Sequence, residues 1–384
     1  MKIIVAADSF KGSLSSLEVG EAARKGILDA KPEAHVDVIG IADGGEGTVR
    51  AIVEARKGDY ITLTVTGPLG TPVEAVYGRC GDMAVIEVAA ACGLALVERD
   101  RQNPGITTTY GVGEMISDAL RRGCRNFLIG LGGSATNDAG AGMLRALGYR
   151  FLDAAGSDTG DGGLETGRIV RIDDSDVIPQ LKDARFTVAC DVSNPLTGPW
   201  GASRIFAPQK GASREMVLDL DTALTSFAAV VARHFNADFS DTPGAGAAGG
   251  LGFAFISFLH GHPEPGIEMV LDAVGFNHRL KDASLVITGE GRLDKQTLMG
   301  KAPYGVLERA VQRGIPVIGI GGAVETAAVD ELLSAGFSAI FPIVDGPCPL
   351  AEAMRPEKAR ENIRRSLRMI MRCRLDAGAS SRCD

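Results

Sequence analysis

Residues 283–301, ASLVITGEGRLDKQTLMGK, decide how the fold is read. The stretch 284–288 is short, apolar or β-branched and does not alternate, as in a strand buried on both faces of a parallel sheet. It runs into Gly289, Glu290, Gly291 and Arg292, followed by Asp294, Gln296, Thr297, Gly300 and Lys301. Glycines that let backbone approach a ligand therefore share one loop with carboxylates, a guanidinium and an ammonium. In an open parallel sheet, ligands bind beyond the carboxyl ends of the strands. An ordinary solvated βα loop has the same composition, so this segment needs company before it signifies a site.

Working outward, the same texture appears at the N-terminus. Residues 3–7 predict a buried strand, 8–12 (DSFKG) a loop, and Ser13, Ser15 or Ser16 the cap of a helix with Leu17, Ala22 or Ala23, Ile27 and Leu28 on its apolar face. A second strand over 36–41 ends in ADGGEGT, 42–48, and a helix follows to about 55. Two strand–loop–helix units in about sixty residues predict a Rossmann-like parallel sheet. Beyond 301 the sequence predicts a helix over 303–313, a strand over 317–320, a helix over 324–335, a strand over 339–343 and a last helix over 356–373, then a flexible tail at 376–384.

The middle differs. Residues 60–97 are dense in Thr, Val and Gly with turn signals at Gly67-Pro68, Gly70 and Gly81-Asp82, and predict antiparallel hairpins. A helix over 113–122, a strand over 127–130, a glycine loop and a helix over 139–147 follow; 156–167 reads as an exposed loop. A strand over 186–190 precedes Asp191, a long helix spans 214–235, and DTPGAGAAGG at 241–250 leads into an apolar helix ending near His260. The expected fold is α/β: a discontinuous Rossmann-like domain, 1–60 plus 283–375, with an inserted mixed-sheet domain, 61–282, and a ligand site in the cleft between them. Residues 104–150 suit either domain.

Composition narrows the function. The 384 residues carry a formal charge of −8 and no basic block, which argues against nucleic acid as a partner. Charged residues make up 23% and apolar ones 45%, and the N-terminus turns polar after seven residues, so neither a signal sequence nor a membrane span is expected. A cytoplasmic protein is the default expectation, with self-association into a homo-oligomer left open. The seven cysteines are isolated, without a CxxC pair, and the five histidines have no metal-ligand spacing.

Six loops share one character: 8–13, 43–48, 130–138, 191–211, 243–250 and 289–301, each mixing glycines with hydroxyls, carboxylates or a lysine. Such loops at helix starts suit phosphates. The Walker pattern and the protein-kinase motifs are absent. GLGGSA at 130–135, with Asp153 downstream, matches the dinucleotide fingerprint and supports an alternative, an NAD-dependent oxidoreductase acting on a small hydroxy acid. Phosphoryl transfer from ATP to an alcohol needs a base, magnesium and fixed cations or N–H donors. Asp191 is the first candidate for the base, with Asp8 and Glu290 as competitors; Asp191, Asp8 and Glu290 are the candidate magnesium ligands; Lys11, Lys210, Arg292 and Lys301 are the candidate cations.

The segments MKIIVAADSFKGSLSS, ADGGEGT, GLGGSATNDAGAGML, ACDVSNPL, GASRIFAPQKGA, PGAGAAGGLG, GIEMVLDAVGF and LVITGEGRLDKQTLMGKAP, in this order over about residues 1–345, resemble the bacterial-type glycerate kinases (type 1). The resemblance implies ATP-dependent phosphorylation of D-glycerate, usually to 2-phosphoglycerate, on a two-domain α/β fold. It departs at Gly12, where many members have Glu, at Ala7, where many have Pro, and beyond 345. Inside the matching motifs, the expected catalytic residues are Asp191, Lys11, Asp8, Arg292 and Lys301. The expected substrate and nucleotide contacts are Ser9, Asp43, Gly44, Gly45, Glu46, Gly132, Gly133, Ser134, Thr136, Asn137, Asn194, Gln209, Lys210, Gly246, Gly249, Gly289, Glu290, Gly291 and Asp294.

Overall fold

The computed structural model describes residues 1–379 and divides into two compact units. The first comprises Met1–Asp43, Arg50–Arg56 and the chain from Val270 onward. Its sheet has five strands in the order Ala339–Pro342, Val317–Val324, Leu285–Leu293, Lys2–Val5, His35–Val38, and every neighbouring pair is parallel. Ile3, Val5, Leu285, Ile287, Ile318 and Ile320 share one core with Val19, Ala23 and Ile27 of helix Ser16–Ala30 and with Ile363, Leu367 and Met371 of helix Pro356–Ala379. Each of the Ile, Leu, Val and Met side chains contributes about 1.5–3 kcal/mol on burial, so this face fixes both helices on the sheet. Helix Ser16–Ala30 starts where the sequence predicts: the Glu18 carboxylate accepts from the Ser15 N–H at 2.9 Å and its hydroxyl at 2.7 Å, a capping box.

The strand of the opening stretch does not stop at Thr288. It continues to Leu293, with Glu290 opposite Gly321 and Arg292 opposite Ala323 on strand Val317–Val324. Gly289 and Gly321, lacking side chains, let the two backbones stay paired past the sheet's apolar section, which periodicity cannot anticipate. The first part of the segment read as a loop, 289–293, is therefore extended backbone with side chains alternating in direction, and Asp294 then caps the short turn Lys295–Leu298. The strands predicted at 3–7 and 36–41 are shorter, Lys2–Val5 and His35–Val38.

The second unit comprises Gly44–Val49 and Lys57–Met269. Its six strands run in the order His262–Glu264, Arg185–Ala189, Asn126–Gly130, Met83–Glu87, Pro72–Cys80, Asp59–Thr66; the first three pairings are parallel and the last two antiparallel. The hairpins read over 60–97 form this antiparallel edge only as far as Glu87; beyond it Ala89–Cys92 and Leu94–Leu96 are helical turns, a change that the small apolar residues there do not announce. Aromatic residues build the core: Phe127 stacks on Phe186 at 4.7 Å, and Phe151 meets Phe227 edge-on at 5.4 Å. Residues 104–150 belong here, since strand Asn126–Gly130 pairs on both sides within this sheet. Residues 270–282 group with the first unit and 44–49 with the second. The segment 156–167 is tied down rather than exposed throughout, because Arg145 reaches the Thr159 hydroxyl at 2.7 Å and the Gly160 carbonyl at 2.6 Å, and Thr159 and Thr166 are buried.

The tail expected from 376 is helical through Ala379, and 380–384 lie outside the described residues. Among the described residues no helix is long and apolar enough to cross a membrane.

Candidate active site

In the first unit, Asp8 follows strand Lys2–Val5, and its backbone N–H donates to the Gly289 carbonyl at 2.8 Å. This bond joins the two sequence stretches 8–13 and 289–301. Asp8 is 8% exposed, and its pKa is pushed up to about 7, chiefly by burial and then by the negative charge of Asp43; Glu290 adds to the rise. The Ser9 N–H, donating to Asp8 Oδ1 at 2.6 Å, and the Lys11 ammonium oppose it. Burial also raises Glu290, opposed by the Thr297 hydroxyl donating at 2.7 Å and by Lys301, whose Nζ stands 3.5 Å away. Lys301 also meets Asp294 at 3.6 Å, and Arg292 meets Asp294 at 3.4 Å. Gly291 packs its backbone beside Phe10 and Lys11. Asp8, Ser9, Lys11, Asp43, Glu290, Gly291, Arg292, Asp294 and Lys301 thus form one carboxylate–cation group. Sequence reading left Thr297 out of the candidate contacts; its spacing of seven from Glu290, across a tight turn, carries no recognisable signal.

In the second unit the loops sort into closed and open ones. The start of helix Thr48–Arg56, after Gly44, Gly45 and Glu46, is filled by the protein itself: the Glu87 carboxylate accepts the Val49 N–H at 2.8 Å and also bonds the backbone of Gly47 and Thr48. Asp138 closes the start of helix Ala141–Ala146 in the same way, accepting from the N–H groups of Gly140 at 3.1 Å and Gly142 at 3.2 Å, and from Thr109 N–H at 2.9 Å and Oγ1 at 2.8 Å. Neither helix start is free for a phosphate. Asp153, the acidic residue of the dinucleotide fingerprint, accepts the N–H groups of Ala155 and Ser157 in its own turn. With its helix start occupied and its acidic residue engaged, the GLGGSA segment loses the features that made it a dinucleotide site.

Several expected contacts turn out to face inward. Thr136 and Asn137 are fully buried, with the Asn137 amide donating to the Ser203 hydroxyl at 2.9 Å, and Lys210 is 3% exposed. A side chain at Gly246, Gly249 or Gly289 would strike the carbonyls of Pro195, Thr136 or Ile320, so these glycines serve backbone packing rather than a ligand. Asp191 is exposed, and its Oδ1 accepts the Gly266 N–H at 2.9 Å, tying the strand end to helix Gly266–Ala273. The Asn194 amide donates to the Trp200 carbonyl at 2.8 Å, and Gln209 is exposed. Gly132 and Gly133 stay open: both are exposed, and their N–H groups have no acceptor among the described residues.

Magnesium takes hard oxygen ligands and keeps several waters, needing one or two protein carboxylates besides phosphate oxygens. Among the described residues no three His, Cys, Asp or Glu side chains form a ready cage. Asp43 and Glu290, whose negative charges add to the rise that burial causes at Asp8, nevertheless fit a divalent cation of that habit.

A carboxylate–cation group at the strand ends of a parallel sheet is the arrangement of an α/β enzyme. The chain belongs to the glycerate kinase family, whose model matches residues 3–375, and it is a kinase. It is 48% identical to the glycerate kinase of Bacillus subtilis (strain 168) over 372 residues, 96% of this chain and 97% of the relative. It is 46% identical to the glycerate 2-kinase of Escherichia coli (strain K12), covering 96% and 97%. A crystal structure from Salmonella typhimurium LT2, described as a glycerate kinase 2, superposes with a TM-score of 0.90 at 46% identity, covering 99% of each chain.

Proposed function

We propose that the chain transfers the γ-phosphoryl group of ATP to a hydroxyl of D-glycerate, giving 2-phosphoglycerate. The family supports the substrate class, and the glycerate 2-kinase relative supports the position phosphorylated. The observation that carries the mechanism is Asp8, a buried carboxylate with a pKa near 7 at a strand end. A general base works best with a pKa near the operating pH, and Asp8 is assigned that role in place of the exposed Asp191. Lys11 and Arg292, both exposed at this group, are assigned to the carboxylate or phosphate charge of the substrates. Magnesium would be held by Asp43 and Glu290 and would neutralise charge on the phosphate oxygens. The Gly132–Gly133 backbone is assigned to an oxyanion of a substrate.

A coupled ADP-release assay over short hydroxy acids, with the product resolved by phosphorus NMR, tests the reading. The expected result is turnover with D-glycerate and ATP and a 2-phosphoglycerate signal. ADP release no faster with D-glycerate than without it, or a 3-phosphoglycerate product, would overturn it.

A further inference from the structure

Lys210 ends the short turn Pro208–Lys210 and lies beneath the 130–138 loop. Its Nζ donates to the Ser134 hydroxyl at 2.9 Å and to the Thr136 carbonyl at 2.7 Å, bracketing Ala135. No carboxylate forms an ion pair with it among the described residues; Asp138, the charged group acting on it together with the Cys92 thiol, already accepts four hydrogen bonds elsewhere. A buried ammonium without a counter-ion costs several kcal/mol, and apolar replacement of such a group is often stabilising. Burial accordingly lowers its pKa to about 8.

Immediately before Ser134, Gly132 and Gly133 present N–H groups without acceptors among the described residues, and Gly133 has φ +78°. Successive N–H groups around a left-handed residue form a concave nest for an anion. The loop's other side is anchored: Leu94 N–H donates to the Gly133 carbonyl at 2.8 Å, and Ala135 N–H to the Cys92 carbonyl at 2.8 Å. An anion on the outer face would therefore sit over a fixed backbone with an uncompensated positive charge behind it.

We propose that Lys210 is a positioning residue for an oxyanion at Gly132–Gly133, holding the loop open and supplying from within the charge that the ligand answers, without touching the ligand. The proposal rests on the assignment of an oxyanion to that loop. The oxyanion is taken to be a nucleotide phosphate; the glycerate carboxylate has the same chemistry and is the other source to be separated.

The test uses the full chain, wild type and Lys210→Met, with Lys210→Gln as a second variant should the first not fold. Calorimetric Kd values are measured for ADP, ATP and D-glycerate between pH 7 and 9.5, and amide exchange is followed over 131–137. In Lys210→Met, ADP and ATP should bind about tenfold more weakly or worse, as expected for loss of a nearby charge in a low-dielectric site, with D-glycerate little changed. Wild-type nucleotide affinity should fall as pH rises through about 8, when the ammonium loses its proton, and the variant should lack that dependence. Loss confined to D-glycerate would support the same role with the carboxylate as the anion. Variants that melt lower yet bind every ligand as the wild type does would overturn the proposal, as would wild-type binding indifferent to pH across that range. If neither ligand protects the 131–137 amides in the wild type, the loop assignment itself fails and this proposal with it; protection without a Lys210 effect fails the proposal alone.

Discussion

The carboxylate of Glu87 accepts the backbone N–H of Val49 at 2.8 Å, so the helix start after Asp43-Gly44-Gly45-Glu46 is occupied by the protein's own anion. A sequence that reads as a phosphate loop is here a capped helix, and Glu87 carries structural weight. Burial raises its pKa, while the bonds from Val49, Gly47 and Thr48 pull it back. Glu87→Ala would strand those donors, at a cost of about 1–3 kcal/mol. Urea unfolding should show that loss, with kcat and KM near wild type at temperatures where the variant stays folded. A large KM change without loss of stability would mean that the Glu87 carboxylate meets a substrate after all.

The glycines divide into two kinds, which substitution should separate. Gly133 is exposed and left-handed, and a Cβ there would stand 3.3 Å from Ala89 Cβ, so Gly133→Val strains one turn without breaking the core. The strain is about 1–2 kcal/mol, enough to distort the nest, and the KM for ATP should rise about tenfold or more with circular dichroism unchanged. Gly249→Val instead drives a side chain into the Thr136 carbonyl and should yield little folded protein. A folded Gly133→Val enzyme with wild-type kinetics would make the loop purely structural.

These cases show what the residues disclosed in advance. The strands and the hairpin edge follow from patterns that burial imposes, so runs such as Ile3 to Val5 and the alternation of Asp59–Thr66 were readable, whereas the order of strands in each sheet was not. The helix Arg214–Phe235 was legible to the residue, because Ser213 caps it at 3.2 Å from the Met216 N–H and Asn236 ends it in a left-handed conformation. The continuation of the Leu285 strand to Leu293 was not, since two facing glycine-rich segments pair by backbone alone. Among candidate contacts, composition could not separate Lys11 at the surface from Lys210 under the loop, because local sequence does not say which way a lysine points. Glu87 and Thr297 were missed for the opposite reason: their partners lie 38 and seven residues away, and neither spacing is a recognisable pattern.

Magnesium gives a third expectation. Excess EDTA should abolish turnover. Glu290→Gln removes charge while leaving an acceptor for the Thr297 hydroxyl at the same place. It should raise the magnesium concentration needed for half-maximal rate, with partial rescue at high magnesium. Activity that survives EDTA would remove the metal from the reaction, and a variant with an unshifted magnesium requirement would remove Glu290 from its site.

The base is the sharpest case, because two aspartates compete and their surroundings differ. Asp191 is exposed and accepts the Gly266 N–H, so Asp191→Asn, which keeps that acceptor, should hold most of its kcat. Asp8 is buried with a pKa near 7, and Asp8→Asn should lose about 10²–10⁴ in kcat with little change in glycerate KM. The wild-type rate should fall as pH drops through about 7 and Asp8 takes up its proton. Stability runs the other way. A carboxylate whose folded pKa lies above its unfolded value favours the fold when protonated, so that contribution is present at low pH and is lost as pH rises from about 4 through about 7. Above pH 7 the ionised, buried Asp8 weakens the fold, and Asp8→Asn should be the more stable protein, by an amount on the order of a few kcal/mol. That margin should shrink as pH falls below 7. An Asp8→Asn enzyme that keeps its kcat, or one that is less stable than wild type at pH 8, would return the role of base to Asp191.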